Sequence, residues 1–140
     1  LTDWGRELEP VLAALGRWAV RSPLHDPTLP MTAVSLMLSF RTMFDARAAE
    51  GMAMTIDFHV GENAFRAELR DCELSIGKHS GQEAEADLVF RGDSAEAYLP
   101  VFYGKQPLDA PGMTLQLAGD RQLADRLIAL FCLPPKIDPA

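Results

Sequence analysis

The sequence predicts an α+β domain, in which helices pack on one face of a five-stranded antiparallel sheet, with a separate helix in front of it. Two patterns support this fold class. Residues 1–19 repeat large apolar side chains at spacings of three and four, which is typical of a helix. Residues 52–77 alternate apolar and polar side chains, which is typical of strands with one solvated face. Because 48% of the 140 residues are hydrophobic, the chain can form one well-cored domain and a short appendage.

The first helix is predicted over residues 1–19. Thr2 is a suitable N-cap, and Pro10 should kink the helix or loosen one turn. The large apolar side chains fall on one heptad-like stripe: Leu1, Trp4, Leu8, Val11, Leu15 and Trp18. Because such a stripe packs well against a second helix of the same kind, we expect these six residues to form a homodimer interface, which makes this the dimerisation helix.

A linker and a second helix are predicted next. Three prolines between residues 21 and 30 indicate a stiff, extended linker over residues 20–30. From Thr32 to about Glu50 a wide apolar face indicates a helix, and Gly51 is expected to end it. The main domain is therefore expected over residues 31–140.

Five strands and two further helices complete the predicted domain. The strands are expected at residues 52–60, 65–70, 72–77, 87–91 and 113–117. Short polar turns between the first three indicate an antiparallel meander. Gly92-Asp93 and Gly119-Asp120 each precede a helix, since glycine permits a sharp turn and aspartate caps the first amides. We expect the last helix, residues 120–133, to be apolar around most of its circumference.

The charge distribution argues against nucleic-acid binding by this part of the protein. The chain has 13 Lys and Arg against 20 Asp and Glu, a net charge of −7, and residues 1–21 carry three of each sign, so the acidic excess lies beyond them. An acidic surface repels phosphate backbones. The sequence contains no membrane-spanning run and no signal peptide, and it begins at Leu1 without Met. We expect a fragment of a cytoplasmic protein with no membrane contact.

No motif in the sequence indicates catalysis, a metal or a cofactor. His59, Cys72 and His79 are scattered and lack the spacing of a zinc site. The stretch from Lys78 to Ser80 contains nucleophile and base types but not the strand–elbow–helix context of a serine hydrolase. We therefore expect that the chain is not an enzyme.

The order of elements from residue 31 to 134 resembles that of sterol-carrier-protein-like domains. The likeness consists of a helix and a three-strand meander, followed twice by a strand, a Gly-Asp pair and a helix. The resemblance implies an apolar tunnel between the sheet and the terminal helices. Candidate lining residues are Phe40, Phe44, Ile56, Phe58, Tyr98, Phe102, Leu127 and Phe131. Alternatively, these side chains simply fill a core, which a helix–sheet layer also requires.

The beginning of the chain resembles the last helix of HxlR-type winged-helix regulators. The matching pattern is Thr-x-x-Gly at Thr2 and Gly5, then Leu-x-Pro-hydrophobic-Leu from Leu8 to Leu12, then Trp18. The resemblance implies that this helix packs in a dimer interface. It also implies that DNA is contacted only through a winged-helix domain, which is absent from this chain.

Taken together, the residues and resemblances predict the effector-binding and dimerisation portion of a bacterial transcription regulator. The effector is expected to be an apolar or amphipathic small molecule. Two alternatives stay open: a lipid or sterol carrier unrelated to transcription, and a dimerisation scaffold with a closed core. A carrier has no need of two Trp on a heptad stripe, and an open cavity would argue against the scaffold.

Overall fold

A computed structural model of the protein describes residues 2–81 and 85–138. Three helices, of 5, 12 and 11 residues, precede the sheet in the chain. In chain order the elements are α1 (Asp3–Glu7), α2 (Glu9–Val20), α3 (Ala33–Met43), β1 (Met54–Val60), β2 (Asn63–Arg70), β3 (Glu73–Lys78), β4 (Leu88–Gly92), a 3₁₀ turn (Ala95–Ala97), α4 (Leu99–Phe102), β5 (Gln116–Gly119) and α5 (Arg121–Ile128).

The predicted first helix is present but divided at Leu8 into α1 and α2. The Thr2 side chain caps α1 by accepting a hydrogen bond from the amide of Gly5, at 3.1 Å. Pro10 lies in the first turn of α2, where a backbone N–H would make no intrahelical hydrogen bond, so the helix tolerates a proline there. The expected interruption near this proline is therefore confirmed. Turns and bends cover residues 21–24 and 27–29, so the prediction that this segment is extended is wrong, whereas its role as a linker stays a prediction.

Helix α3 ends seven residues before the predicted position near Glu50. Thr32 caps its start by accepting from the amide of Ser35, at 3.1 Å. At the other end Phe44 turns to an extended conformation and forms a β-bridge with Phe131. Gly51 has the positive φ expected of it, 75°, but it ends a turn and not the helix. A long-range contact therefore sets the end of α3.

The sheet is mixed, so the prediction of a purely antiparallel sheet is wrong. Its strand order is β3-β2-β1-β4-β5. β1 and β4 pair in parallel, whereas the other neighbours pair antiparallel. After β3, which is an edge strand, the chain crosses over β2 and β1 and forms β4 on the other side of β1. β4 therefore runs in the same direction as β1. Alternation of side chains reveals a buried face but carries no information about strand direction.

The inner face of the sheet packs against α3, α4 and α5. Along β1 the inward side chains are Met54, Ile56, Phe58 and Val60, and all are buried. They belong to one continuous apolar core with Leu36 of α3 and Leu127 of α5. The fold is thus α+β, a single sheet with helices against one face and a polar opposite face. β5 begins three residues later than predicted.

The last two predicted helices are shorter than expected. Pro100 divides the first of them into the 3₁₀ turn and α4, and Ser94, not Asp93, is the N-cap of the 3₁₀ turn. Asp120 does cap α5, accepting from the amide of Leu123 at 2.7 Å. α5 buries Ala124, Leu127 and Ile128 and exposes Arg121, Gln122, Asp125 and Arg126. The prediction that this helix is apolar around most of its circumference is wrong, because several of the apolar residues lie beyond its end.

Candidate functional site

The main candidate site is an apolar surface on α1 and α2, which we call the stripe. It consists of Trp4, Leu8, Val11, Leu12, Leu15 and Trp18. Trp4 is 83% exposed and Trp18 is 71% exposed, and the four aliphatic residues are between 50% and 59% exposed. Leu1 lies outside the described residues. Five of the six predicted interface residues therefore share an exposed apolar surface, and the structure adds Leu12, which the sequence showed at a spacing of four from Leu8.

The stripe faces outward because α2 contacts its own domain through other residues. Gly16 lies against α3, where a Cβ added to it would be in ordinary van der Waals contact, at 3.5 Å, with the Thr42 methyl carbon. A salt bridge of 2.8 Å between Arg41 and Glu9 also joins α3 to α2. A helix on the surface of a monomer usually buries its large apolar residues and exposes small or polar ones. α2 has the reverse arrangement.

Apolar exposure continues from α2 onto α3. Val34 and Leu38 are both half-exposed and are one turn apart. Arg41, which contacts Glu9, is a further turn along from Leu38 on the same side of α3. The exposed apolar surface thus involves two helices that pack against each other. Sequence reasoning did not include Val34 and Leu38 because they lie on a helix whose opposite face forms the core.

The eight residues predicted to line a pocket come together beneath the helices. Seven are buried, and Phe44 is half-buried. Six rings form what we call the aromatic cluster: Phe40, Phe58, Phe90, Tyr98, Phe102 and Phe131. The Phe40 ring centroid is 4.6 Å from that of Phe102 and 5.0 Å from that of Phe131. These distances are those of direct ring contact, so these six side chains pack directly on one another. Binding of a ligand among them stays a prediction.

Two tyrosine hydroxyls are held within or beside this cluster. Tyr98 donates to the carbonyl oxygen of His59 at 2.6 Å, and Tyr103 shares a hydrogen bond of 2.6 Å with the Ser39 hydroxyl. Burial raises the pKa of Tyr98 and raises the pKa of Tyr103 to about 12. Both hydroxyls therefore stay protonated at neutral pH and serve as hydrogen-bonding groups.

Two surface clefts lie away from the predicted pocket residues. One, of about 300 Å³, lies between the loop after α4 and α5 and is lined by residues including Val101, Leu108 and Arg121. The other, of about 540 Å³, lies on the outer face of the sheet beside Arg66 and Lys78. None of the eight predicted lining residues borders either cleft.

The outer face of the sheet contains a buried ion pair. Asp57 is only 6% exposed and accepts two hydrogen bonds from the Arg66 guanidinium, at 2.8 and 2.9 Å. Nε2 of His79 lies 3.6 Å from the same carboxylate. Burial alone would raise the pKa of Asp57, but the hydrogen bonds and charge of Arg66, together with the nearby His79 and His59, hold this pKa below its usual value. Burial and the charge of Arg91 lower the pKa of His59.

This ion pair was missed at the level of sequence, although its signal was available. Asp57 and Arg66 are direct register partners on β1 and β2, and they occupy polar positions of two alternating strands. His79 was weighed as a metal ligand and as a base, but not as a neighbour of the Asp57 carboxylate. Among residues 2–81 and 85–138, no group of three or more His, Cys, Asp or Glu side chains is placed to hold a metal ion. In the same residues, no helix has the length and apolar character needed to cross a membrane.

Comparison with known proteins supports the fold but identifies no family. No protein-family model and no curated protein matches the sequence. The chain is similar to part of the stereoselective inverting sec-alkylsulfatase Pisa1 from Pseudomonas sp., with a TM-score of 0.60, 17% identity and coverage of 82% of this chain and 20% of the sulfatase. The chain is also similar to part of a double mutant of the sec-alkyl sulfatase PisA1, with a TM-score of 0.61 and 20% identity. This match covers 78% of this chain and 18% of the sulfatase. The chain therefore matches about a fifth of the length of these sulfatases.

A third similar structure has nearly the same extent as this chain. It is described as the ubiquinone synthesis protein UbiJ-SCP2, with a TM-score of 0.45, 13% identity and coverage of 88% of this chain and 95% of that one. This superposition is too loose to define a fold by itself. The resemblance of the first eighteen residues to HxlR-type regulators stays a prediction.

Proposed function

We propose that this chain is the dimerisation and effector-binding portion of a bacterial transcription regulator whose effector is an apolar or amphipathic small molecule. The observation that carries the proposal is the stripe, in which two Trp and four aliphatic side chains face away from the chain's own core. The resemblance of residues 2–18 to the last helix of HxlR-type regulators supplies the class of protein. DNA contact would then come from a winged-helix domain outside this chain.

A second copy of the chain fits the stripe better than an acidic or basic partner does. In a two-fold interface each patch meets an identical patch, so a patch with an excess of one charge would repel its own copy. Around the stripe the charges are balanced, with Asp3 and Arg6 paired at 3.3 Å and three residues of each sign in residues 1–21. The acidic excess of seven charges lies elsewhere on the molecule. The apolar residues also repeat at the three–four spacing that interdigitates helices of the same kind.

The proposed effector site is the aromatic cluster, which lies where a sterol-carrier-like tunnel is expected. We place the proposed entry side at Phe44, because this residue is half-buried and its ring lies 6.1 Å from that of Phe131. Entry of a ligand requires displacement of at least one ring, because the rings contact one another. This close packing also favours a second candidate, a dimerisation scaffold with a closed core.

Sedimentation velocity of Leu15→Asp tests the dimer proposal. We expect the unaltered 140-residue chain to be a dimer at micromolar concentration and Leu15→Asp to be a monomer, because each interface would bury two unpaired carboxylates. Leu24→Asp is the matched control, since Leu24 is 91% exposed but lies outside the stripe. A monomeric parent, or a Leu15→Asp variant that stays dimeric, would contradict the proposal.

Thermal melting with and without ligand separates the two candidates for the aromatic cluster. A saturating fatty acid or sterol should raise the melting temperature of an effector-binding domain by mass action, whereas a closed scaffold should not respond. Phe44→Trp is measured alongside the parent, because this substitution alters the proposed entry side and leaves the buried rings unchanged. A ligand-induced shift in the parent that is reduced in Phe44→Trp supports effector binding. The absence of a shift with both ligand classes leaves the scaffold.

A further inference from the structure

The chain that follows α5 returns to the end of α2. We call residues 132–138 the strap. At its start the amide of Cys132 donates to the carbonyl oxygen of Met43 at 3.4 Å, and near its end the amide of Ile137 donates to the carbonyl oxygen of Arg21 at 2.9 Å. The strap therefore joins the ends of three helices, α5, α3 and α2.

The beginning of the strap is fixed by the aromatic cluster. Phe131, the residue immediately before it, is fully buried, and its ring contacts those of Phe40 and Phe102. The ammonium group of Lys105 donates to the carbonyl oxygens of Ile128 and Phe131, which holds this exit from α5 in place. The Phe131 ring, the bridge between Phe131 and Phe44, and the hydrogen bonds of Lys105 thus together hold the start of the strap in place.

The far end of the strap holds the residue that caps α2. Arg21 is the C-cap of that helix, and its amide donates to the carbonyl oxygen of Trp18, the last residue of the stripe. Lys136 adds a second contact, since its ammonium donates to the carbonyl oxygen of Ser22 at 3.0 Å. A cation at the carbonyl end of a helix also interacts favourably with the helix dipole. The strap therefore stabilises the end of the helix that carries the stripe.

We propose that the strap couples the aromatic cluster to the dimerisation surface, so that displacement of the Phe131 ring withdraws residues 132–138 from Arg21 and Ser22. The last turn of α2, including Trp18, then loses its support, and the dimer weakens. The contacts of the strap are few and solvent-exposed, so they can open without unfolding the sheet. The use of this coupling by an effector rests on the proposed function. The link from the Phe131 ring through the strap to the end of α2 does not depend on that function.

Backbone hydrogen exchange at Arg21 and Ser22 tests the strap directly. Ile137→Pro removes the N–H that bonds to Arg21, whereas Ile137→Ala keeps that N–H and removes only side-chain atoms. We expect Ile137→Pro to accelerate exchange of the two amides by roughly fivefold, the factor given by one hydrogen bond of ordinary net strength, and Ile137→Ala to leave it nearly unchanged. Equal rates in the two variants would overturn the proposal.

A double-mutant cycle tests whether the cluster acts through the strap. Phe131→Leu should accelerate exchange at Arg21 and Ser22 in the parent but should add nothing in the Ile137→Pro background. The same added acceleration in both backgrounds would overturn the proposal, because the signal would then pass through α3. If Phe131→Leu does not fold, Phe44→Leu replaces it, since Phe44 contacts Phe131 from the half-buried side.

These exchange measurements remain decisive if the parent proves monomeric. A monomeric parent contradicts the proposed function, yet the protection of Arg21 and Ser22 still reports the strap. If the parent is a dimer, Ile137→Pro should in addition raise the dimer dissociation constant severalfold relative to Ile137→Ala. An unchanged dissociation constant in a variant with accelerated exchange would overturn the coupling to the dimer.

Discussion

The stripe and the aromatic cluster are built from similar side chains and end in opposite environments. Phe40 and Phe102 are completely buried, whereas Trp4 and Trp18 are mostly exposed. The cluster is completed by elements of the same chain, because the sheet lies on one side of it and α3, α4 and α5 on the other. α2 instead offers Gly16 to its own domain and its large residues to solvent. An apolar repeat predicts burial, but the partner that provides it can belong to another molecule.

The largest expected effect lies at the centre of the cluster. Phe40→Ala should lower the free energy of unfolding by about 3–5 kcal/mol, because it leaves a cavity among rings that all contact Phe40. Urea denaturation at several protein concentrations measures the loss in free energy of unfolding, which should be the same at each concentration. A loss below about 1 kcal/mol would mean that the cluster is loosely packed and would weaken the contrast with the stripe.

A smaller loss is expected from overpacking the same region. Leu127→Trp should destabilise by about 1–3 kcal/mol if Leu127, which is fully buried, has no free space beside it. If the aromatic cluster opens for a ligand, the introduced Trp ring instead occupies the space of that ligand. The loss of stability is then smaller, and ligand binding is abolished. Thermal melts of this variant with and without fatty acids or sterols distinguish the outcomes, and Leu127→Met is the volume-conserving control.

The ion pair on the opposite face of the sheet should make stability depend on acid. The pKa of Asp57 in the folded protein lies below its unfolded value near 3.8, so the stabilisation is present above that value and is lost as pH falls toward the folded pKa. Asp57→Asn should cost about 1–3 kcal/mol at neutral pH, because it leaves the Arg66 charge without its carboxylate.

Denaturation between pH 6 and pH 3 checks this prediction. The parent should lose stability more steeply than Asp57→Asn over the acid end of that range, so the two curves should converge. Asp71→Asn is the control, since Asp71 is exposed in the turn after β2. Parallel curves for the parent and Asp57→Asn would show that the carboxylate is not stabilised by its partners.

The smallest effect on the free energy of unfolding is expected in the stripe. Trp18→Ala should change monomer stability by less than about 0.5 kcal/mol, because Trp18 is 71% exposed. The same change should abolish the increase of melting temperature with protein concentration that a dimer shows. A large loss of stability in dilute protein would show that Trp18 packs within its own chain and would remove the contrast with Phe40.

Local sequence signals were sufficient for much of the fold. Alternation located β1 and β2 to within a few residues, and the predicted capping residues Thr2 and Asp120 mark real helix starts. The three–four repeat singled out Trp4 and Trp18, and both are exposed. These features depend on backbone geometry and on the nearest neighbours along the chain, which a sequence displays directly.

Tertiary structure decided the features that depend on distant partners. The parallel pairing of β1 with β4 and the end of α3 at Met43, where Phe44 bridges to Phe131, each require segments far apart in the chain to meet. The direction in which the stripe points is a further case, because it follows from the packing of Gly16 against Thr42. Periodicity records that one face of an element is apolar; only the assembled fold determines which neighbour covers that face and which faces are left uncovered.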